Sequence, residues 1–277
     1  MPQRPFLRGL MGSQSTLPHP LAERHVPSLA VAIVVNFGAP HRLGDRESGG
    51  GGELDAWVVG LQGGPRRGEA VGEREFMVAA LTPIGASLVL RLPMDLIAGE
   101  IAPLAEIDPR LARELSDRLG PACGWPGRFD AFESVIAARL ADVEPPAIAT
   151  RALRRLVATA GRASLSHLAA ELDCSHRRLI GQFRDHIGAT PKKVARLVRF
   201  GRALAAINDA GRLDRPDGRP YLDLGREGAR PPGLVDWADL AVACGYYDQP
   251  HFIKEFHAFA GSSPGEFLQL LRPDAAG

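Results

Sequence analysis

The sequence has few cysteines and few aromatic residues, and it lacks a long apolar run. Its 277 residues include three cysteines, and aromatic residues make up only 6%. Cys123, Cys174 and Cys244 are odd in number and far apart, which argues against a disulfide framework and against a zinc site built on cysteine pairs. We therefore expect each cysteine to be a small buried apolar residue. The longest apolar run, residues 29–35, is far shorter than the ~20 residues of a membrane-spanning helix.

The sequence also shows no secretory leader. The chain does not open with a charged start followed by an apolar segment and a cleavage site. With 45% hydrophobic and 23% charged residues, its composition is that of a soluble globular protein of roughly two domains. We expect a cytoplasmic protein with no membrane partner.

The net charge is only +1, but the basic and acidic residues are distributed unevenly along the chain. Residues 1–150 hold 14 basic against 18 acidic residues, whereas residues 151–202 hold 12 basic against three acidic residues. On charge alone, a solvated face and a surface that binds a polyanion are equally good interpretations of the basic block.

An internal repeat favours the second interpretation. Residues 165–191 and 237–264 match at an offset of 72 up to a tight turn and at an offset of 73 after it. Each copy reads as a short helix, a turn, a capped second helix with an apolar stripe, and then Gly-x-Ser/Thr-Pro. This order predicts a helix-turn-helix, in which the second helix presents its outer face to a DNA groove. Two copies with the same turn, cap and ending make the prediction specific.

The segment "LAVACGYYDQPHFIKEFHAFAGSSPGEF" resembles the signature of the AraC/XylS transcription regulators, and "LAAELDCSHRRLIGQFRDHIGATPKKV" resembles their first motif. The resemblance implies a DNA-binding domain at 151–271 with two helix-turn-helix motifs, at 165–187 and 237–260. It further implies recognition helices at 175–186 and 248–259, joined by a long helix at 190–208. The double-stranded DNA would then be read in two major grooves about one turn, or ~10 base pairs, apart.

The candidate DNA contacts fall on the outward faces of these helices. Arginine can read guanine and glutamine can read adenine through paired hydrogen bonds. The expected base contacts are Arg177, Arg178, Gln249, His251 and Lys254. For His251 a capping or packing role is an equally good interpretation, and for Arg177 the alternative is a phosphate contact. The expected phosphate contacts are Ser175, Arg184, Thr190, Lys192 and Ser263.

The N-terminal half predicts a mixed domain. Four short apolar runs, at 28–37, 54–61, 75–82 and 85–92, indicate the strands of a small β-barrel or sandwich, and two helices are predicted at 108–119 and 128–143. The arrangement resembles the cupin-like sensor domain of many AraC/XylS members. The predicted fold class is therefore α+β, with a sensor or dimerisation domain at 1–145, a linker at 141–150 and an all-α domain behind it. Residues 208–236 are predicted to be a loop.

Catalysis is not expected. His19, His25 and His41 do not have the spacing of a cupin metal site, and the glycine run at 49–52 lacks the ending of a phosphate-binding loop. We expect no catalytic residue, no metal and no cofactor. The resemblance implies an unidentified small-molecule effector, with RNA polymerase and a second copy of the chain as further partners. The alternative function is a protein-interaction module whose barrel binds a protein and for which DNA binding is secondary.

Overall fold

An antiparallel sheet forms the N-terminal half of the chain. The computed structural model describes residues 6–38, 42–43, 46–47, 55–141, 143–212 and 236–270. The strands are β1 (Leu7–His25), β2 (Val31–Asn36), β3 (Arg42–Leu43), β4 (Arg46–Glu47), β5 (Asp55–Val59), β6 (Arg66–Leu81) and β7 (Ile101–Pro103). Five of them pair in the order β1-β6-β2-β5-β7, and β3 pairs with β4.

The five-stranded sheet has β1 and β7 at its two ends. A barrel needs every strand paired on both sides, but β7 is three residues long and pairs with β5. Among the described strands the sheet is therefore open, and the barrel closure that the sequence predicted is not seen. The long β1 strand, which the apolar runs did not predict, pairs with β6 along most of its length.

The sheet buries one face against helices, because side chains alternate between its two faces. Val31, Ile33 and Val35 pack in one cluster with Leu115 and Phe132 of the helical layer. On the opposite face, Val34, Trp57 and Ile101 form a smaller buried cluster. Both faces of the central strands are thus apolar, which explains why residues 29–35 form a continuous apolar run.

The helices of this half are α1 (Pro83–Leu90), α2 (Leu104–Ile107), α3 (Pro109–Leu119) and α4 (Gly124–Leu140), with a 3₁₀ turn at Met94–Ile97. The predictions of α3 and α4 are confirmed, and Asp108 caps α3, because its carboxylate accepts from the Leu111 N–H. The prediction of a strand at 85–92 is wrong. All eight residues of α1 are buried, so the run has no polar period to distinguish helix from strand, while Thr82 caps it and Pro83 begins it.

The C-terminal half is helical over its described residues. Its helices are α5 (Ala147–Ala158), α6 (Leu165–Glu171), α7 (His176–Ile187), α8 (Pro191–Arg212), α9 (Trp237–Ala243), α10 (Gln249–Ala260) and α11 (Pro264–Leu270). We call α6 with α7 the first helix pair and α9 with α10 the second helix pair. They occupy the segments in which the two motifs were predicted. Helix α5 begins inside the predicted linker, and α8 extends to Arg212, four residues beyond the predicted end.

The loop predicted at 208–236 lies mostly outside the described residues. Its first residues belong to α8, and Asp236 caps α9; residues 213–235 are not described. Of the three cysteines, Cys244 is buried, Cys174 is half-buried and Cys123 is exposed, so the prediction of three buried cysteines is wrong for Cys123. Within the described ranges, no helix has the length and apolar character to cross a membrane.

Candidate nucleic-acid interface

The first helix pair is held by two serine caps and an apolar inner face. The Ser164 hydroxyl accepts from the His167 N–H at 3.1 Å, and the Ser175 hydroxyl accepts from the Arg178 N–H at 3.2 Å. Such caps satisfy backbone N–H groups that have no partner within the helix. Leu179 and Phe183 of α7 are fully buried. The inner face of α7 is therefore fixed, and its opposite face is free to meet another molecule.

The outward face of α7 is basic. Arg177, Arg178 and Arg184 are exposed, as is the capping Ser175. Gly181 lies between the arginines on this face, and a Cβ added to it would meet no atom within 4 Å. Three guanidinium groups around an open space are suited to the edge of a base pair or to phosphate oxygens.

The turn after α7 carries the next predicted contacts. Gly188 ends α7 in the left-handed conformation, with φ at 79°. The half-buried Thr190 caps α8 by accepting from the Lys193 N–H at 3.3 Å, and Lys192 is exposed. Ser175 caps the start of α7, Arg184 lies in its last turn, and Thr190 and Lys192 lie at the start of α8; their phosphate contacts remain a prediction.

The second helix pair has a more apolar core. Phe252, Phe256 and Phe259 form the buried stripe that the sequence predicted. On the outside of α10, Lys254 is exposed, whereas Gln249 is half-buried. His251 lies with its ring edge against the Tyr246 ring and its Nε2 atom 3.3 Å from a Glu255 oxygen. His251 therefore has the packing contacts of the alternative interpretation.

Ser263 is engaged within its own helix. Its backbone N–H and its hydroxyl both donate to the Glu266 carboxylate, at 2.7 and 2.8 Å. These hydrogen bonds lower the pKa of Glu266, which keeps the carboxylate charged. A phosphate at Ser263 would have to displace that carboxylate, so the geometry is unfavourable for the predicted phosphate contact.

An ion-pair network fastens α10 to α8. The buried Glu255 carboxylate accepts from Arg196 Nε at 2.8 Å and from Arg199 Nη2 at 3.2 Å. Arg199 also donates to the Gly161 carbonyl oxygen and lies over the Tyr246 ring. Sequence reasoning missed Glu255 because it read α10 for its apolar stripe and its outward side. The available signal was an acidic residue immediately before a buried phenylalanine, opposite two arginines one turn apart in the joining helix.

Tyr247 was also missed by the sequence reasoning. Its side chain is 89% exposed and stands directly before the Asp248 cap of α10. The neighbouring Tyr246 is buried, and this burial raises its pKa. The sequence shows only a pair of tyrosines, which gives no sign of which one faces the solvent.

The N-terminal half packs directly against the first helix pair. Leu29, Leu61, Ile84 and Leu88 belong to the same buried cluster as Leu179 and Phe183 of α7. The Ser87 hydroxyl lies 3.2 Å from Nδ1 of His186, and burial lowers the pKa of this histidine. The end of α7 is thus in contact with α1 through both apolar and polar groups.

Further contacts join the sheet to the second helix pair. Arg24, at the end of β1, donates to the Ser262 hydroxyl at 3.3 Å. Pro65 lies beside Gly261, where a Cβ would be 3.2 Å from the proline ring. Among the described residues, no group of three histidine, cysteine, aspartate or glutamate side chains could hold a metal ion.

No protein-family profile and no curated protein matches the chain. Similar solved structures include ToxT of Vibrio cholerae, an AraC-family regulator, at 9% identity and a TM-score of 0.49 over 96% of this chain and 98% of ToxT. A ToxT structure with bound unsaturated fatty acid has 11% identity and a TM-score of 0.46, over 98% of each chain. The AraC-like activator CuxR has 17% identity and a TM-score of 0.27, over 71% of this chain and 76% of CuxR. These neighbours are transcription regulators.

Proposed function

We propose that the chain is a sequence-specific DNA-binding transcription regulator of the AraC/XylS type. The observation that carries the proposal is the outward face of α7, where Arg177, Arg178 and Arg184 are exposed on a helix whose other face is buried. A rigid helix that presents several arginines can enter the major groove with its base-reading groups already oriented. The two helix pairs then act as helix-turn-helix motifs.

The side chains of the first helix pair divide by position. Arg177 and Arg178 lie in the first turn of α7, and the N-terminal residues of a recognition helix are the ones that contact base edges. Arg184 lies in its last turn, and Lys192 lies in the first turn of α8, so these two side chains suit the phosphates on either side of the groove. The sequence also predicts base contacts on α10, at Gln249, His251 and Lys254, but the proposed binding through α7 does not depend on them.

The affinity for DNA would be controlled from the N-terminal half. We infer that an unidentified small molecule or a partner bound there changes the position of α1, because α1 contacts α7 through the shared core and through Ser87 and His186. RNA polymerase and a second copy of the chain remain proposed partners, and the cytoplasm is the proposed location. The alternative function, a protein-interaction module with secondary DNA binding, predicts that such a molecule leaves DNA affinity unchanged.

The function can be tested with the full chain and a duplex selected in vitro from random sequences. We expect Arg177→Ala to weaken binding to the selected duplex by about 1 to 3 kcal/mol and to relax the preference at one base pair. Arg110→Ala, at an exposed arginine of α3, is the matched control and should leave binding unchanged. If the folded full chain selects no sequence and Arg177→Ala binds like Arg110→Ala, the proposed function is wrong.

A further inference from the structure

The two helix pairs share a backbone plan but carry opposite charge. Residues 164–193, which contain α6, α7 and the start of α8, hold five basic and three acidic residues. The corresponding residues 236–266 hold one lysine, no arginine and five acidic residues. The net charges, with histidine neutral, are +2 and −4. A protein surface that lies along DNA phosphates is expected to carry positive charge.

The helix caps of the first pair are neutral. The hydroxyls of Ser164, Ser175 and Thr190 each accept one backbone N–H, at 3.1, 3.2 and 3.3 Å. A neutral cap leaves the partial positive charge of the helix N-terminus in place, and this charge attracts a phosphate.

Two of the corresponding caps of the second pair are carboxylates; the third helix start is capped by the Ser263 hydroxyl, but the Glu266 carboxylate lies beside it. Asp236 accepts from the Asp239 N–H at 3.2 Å, Asp248 accepts from the His251 N–H at 2.8 Å, and Glu266 accepts from Ser263. Each carboxylate occupies an N–H group that a phosphate would use, and each would repel the phosphate. All three helix starts are therefore unfavourable for the DNA backbone.

The outward side chains change in the same direction. At the offset of 73, Pro250, His251 and His257 stand where the first pair has Arg177, Arg178 and Arg184. Lys254 is the sole lysine or arginine of α10. The nearby arginines of α8, Arg196 and Arg199, are bound by the Glu255 carboxylate. The second pair is consequently left with few cations for phosphates.

We propose that this chain holds the DNA backbone through the first helix pair and the start of α8 alone, and that the second helix pair makes no phosphate-neutralising contact. The proposal rests on the proposed function and refines it. It limits the contacts with the DNA backbone to the phosphates on the two strands that flank one major groove. It also departs from the sequence-based expectation of a second major groove, read through base contacts of Gln249, His251 and Lys254 and a phosphate contact of Ser263.

The salt dependence of binding tests this division. The full chain and its variants are titrated with a duplex of about 30 base pairs of mixed sequence, between about 50 and 200 mM salt. Each lost phosphate contact should make the slope of log K against log salt less steep by about 0.9. The loss of affinity caused by salt across this range should then be about 3.5-fold smaller. We expect this change for Arg184→Ala and for Lys192→Ala. Lys254→Ala should keep the slope of the parent chain.

A footprint supplies an independent readout. On a duplex selected in vitro by the full chain, hydroxyl-radical protection should cover the strands around one major groove. Two protected segments about 10 base pairs apart, or a slope for Lys254→Ala as low as that for Lys192→Ala, would overturn the inference while leaving the proposed function intact. If the folded chain binds neither duplex at the lowest salt concentration, both proposals fail.

Discussion

Glu255 compensates two arginines at the contact between α8 and α10. Its side chain is 10% exposed and that of Arg199 is 13% exposed, so the pair is shielded from water. Removing one partner of a buried ion pair leaves the other charge buried and uncompensated, which is costly. Removing Glu255 would therefore destabilise the protein by leaving Arg199 buried without an opposite charge. The ion pairs themselves need not add much net stability.

The first prediction concerns this carboxylate. We expect Glu255→Ala to lower the free energy of unfolding by about 3 to 5 kcal/mol, as measured by urea denaturation. Gln182→Ala is the matched control, because Gln182 is the half-buried residue of α7 at the equivalent position. It should lose less than about 1 kcal/mol. Equal losses at the two positions would show that Glu255 does not compensate Arg199.

The second prediction concerns Asp108, which caps α3 and pairs with Arg139. Burial acts to raise the pKa of this carboxyl, but hydrogen bonds from Arg139 and from backbone N–H groups outweigh it and hold the pKa below 3.8. A lowered folded-state pKa stabilises the protein above the unfolded pKa, and this stabilisation is lost as the pH falls through the folded value.

Asp108→Asn keeps a cap but removes the charge, so its free energy of unfolding should lie below that of the parent at neutral pH. The difference should shrink as the pH falls below 3.8. Urea denaturation of both proteins across this pH range measures it. Asp117→Asn, which changes another carboxylate of α3, is the control. A difference that is constant with pH would exclude the charge of Asp108 as the cause.

At the scale of elements, the turns that end α7 and α10 are equivalent in sequence but meet different neighbours. Gly188 and Gly261 both have positive φ, at 79° and 72°. A Cβ on Gly188 would lie 2.7 Å from the Met94 carbonyl oxygen, whereas a Cβ on Gly261 would lie 3.2 Å from the Pro65 ring. The glycine that ends α7 therefore faces backbone atoms, whereas the glycine that ends α10 faces a side chain.

The third prediction follows from this pair. Gly261→Ala should cost about 1 kcal/mol or more, because alanine is strained at positive φ. Gly188→Ala should cost more than that, because the Met94 backbone must also move away from α7. Urea denaturation of the two single variants provides the comparison. A smaller loss for Gly188→Ala than for Gly261→Ala would mean that the 3₁₀ turn at Met94–Ile97 yields easily.

Helices with both a cap and a stripe could be predicted from the sequence. Helices α7 and α10 lie within one residue of their predicted bounds, because Ser175, Asp248 and the phenylalanine stripe each have a local cause. Helix α1 could not be predicted, because burial on all sides removes the polar period that distinguishes a helix from a strand. The contact of His251 with Glu255 joins residues i and i+4 of one helix and could have been predicted. The burial of Glu255 could not, since it depends on how α10 lies against α8.

At the scale of the whole molecule, the two halves share one apolar core. Leu29, Leu61, Ile84 and Leu88 come from the N-terminal half, yet they pack with residues of α5, α7 and α8. A contact between domains that is apolar and continuous with a core opposes independent motion of the domains. Cutting the chain near residue 145 would expose this surface on both fragments, so the full chain is the appropriate material for binding experiments.

The last prediction is that the two halves unfold together. Trp57 and Trp125 lie in the N-terminal half, and Trp237 lies in the second helix pair, where it stacks on Phe252. In Trp237→Phe, fluorescence reports only the N-terminal half; in the double variant Trp57→Phe and Trp125→Phe, it reports only the helical half. In each protein the fluorescence transition in urea should coincide with the transition seen by far-ultraviolet circular dichroism, because a shared core makes unfolding cooperative.

Leu88→Ala tests whether the shared core is the reason that the two halves unfold together. It removes a buried side chain that α1 contributes to the shared core, and it should lower the free energy of unfolding by about 2 to 5 kcal/mol. In the Trp237→Phe background and in the double-variant background, the fluorescence midpoint should fall together with the circular dichroism midpoint. If the N-terminal reporters instead melt at a lower urea concentration than Trp237, the halves are separate units. A signal could not then pass from α1 to α7 through their packing.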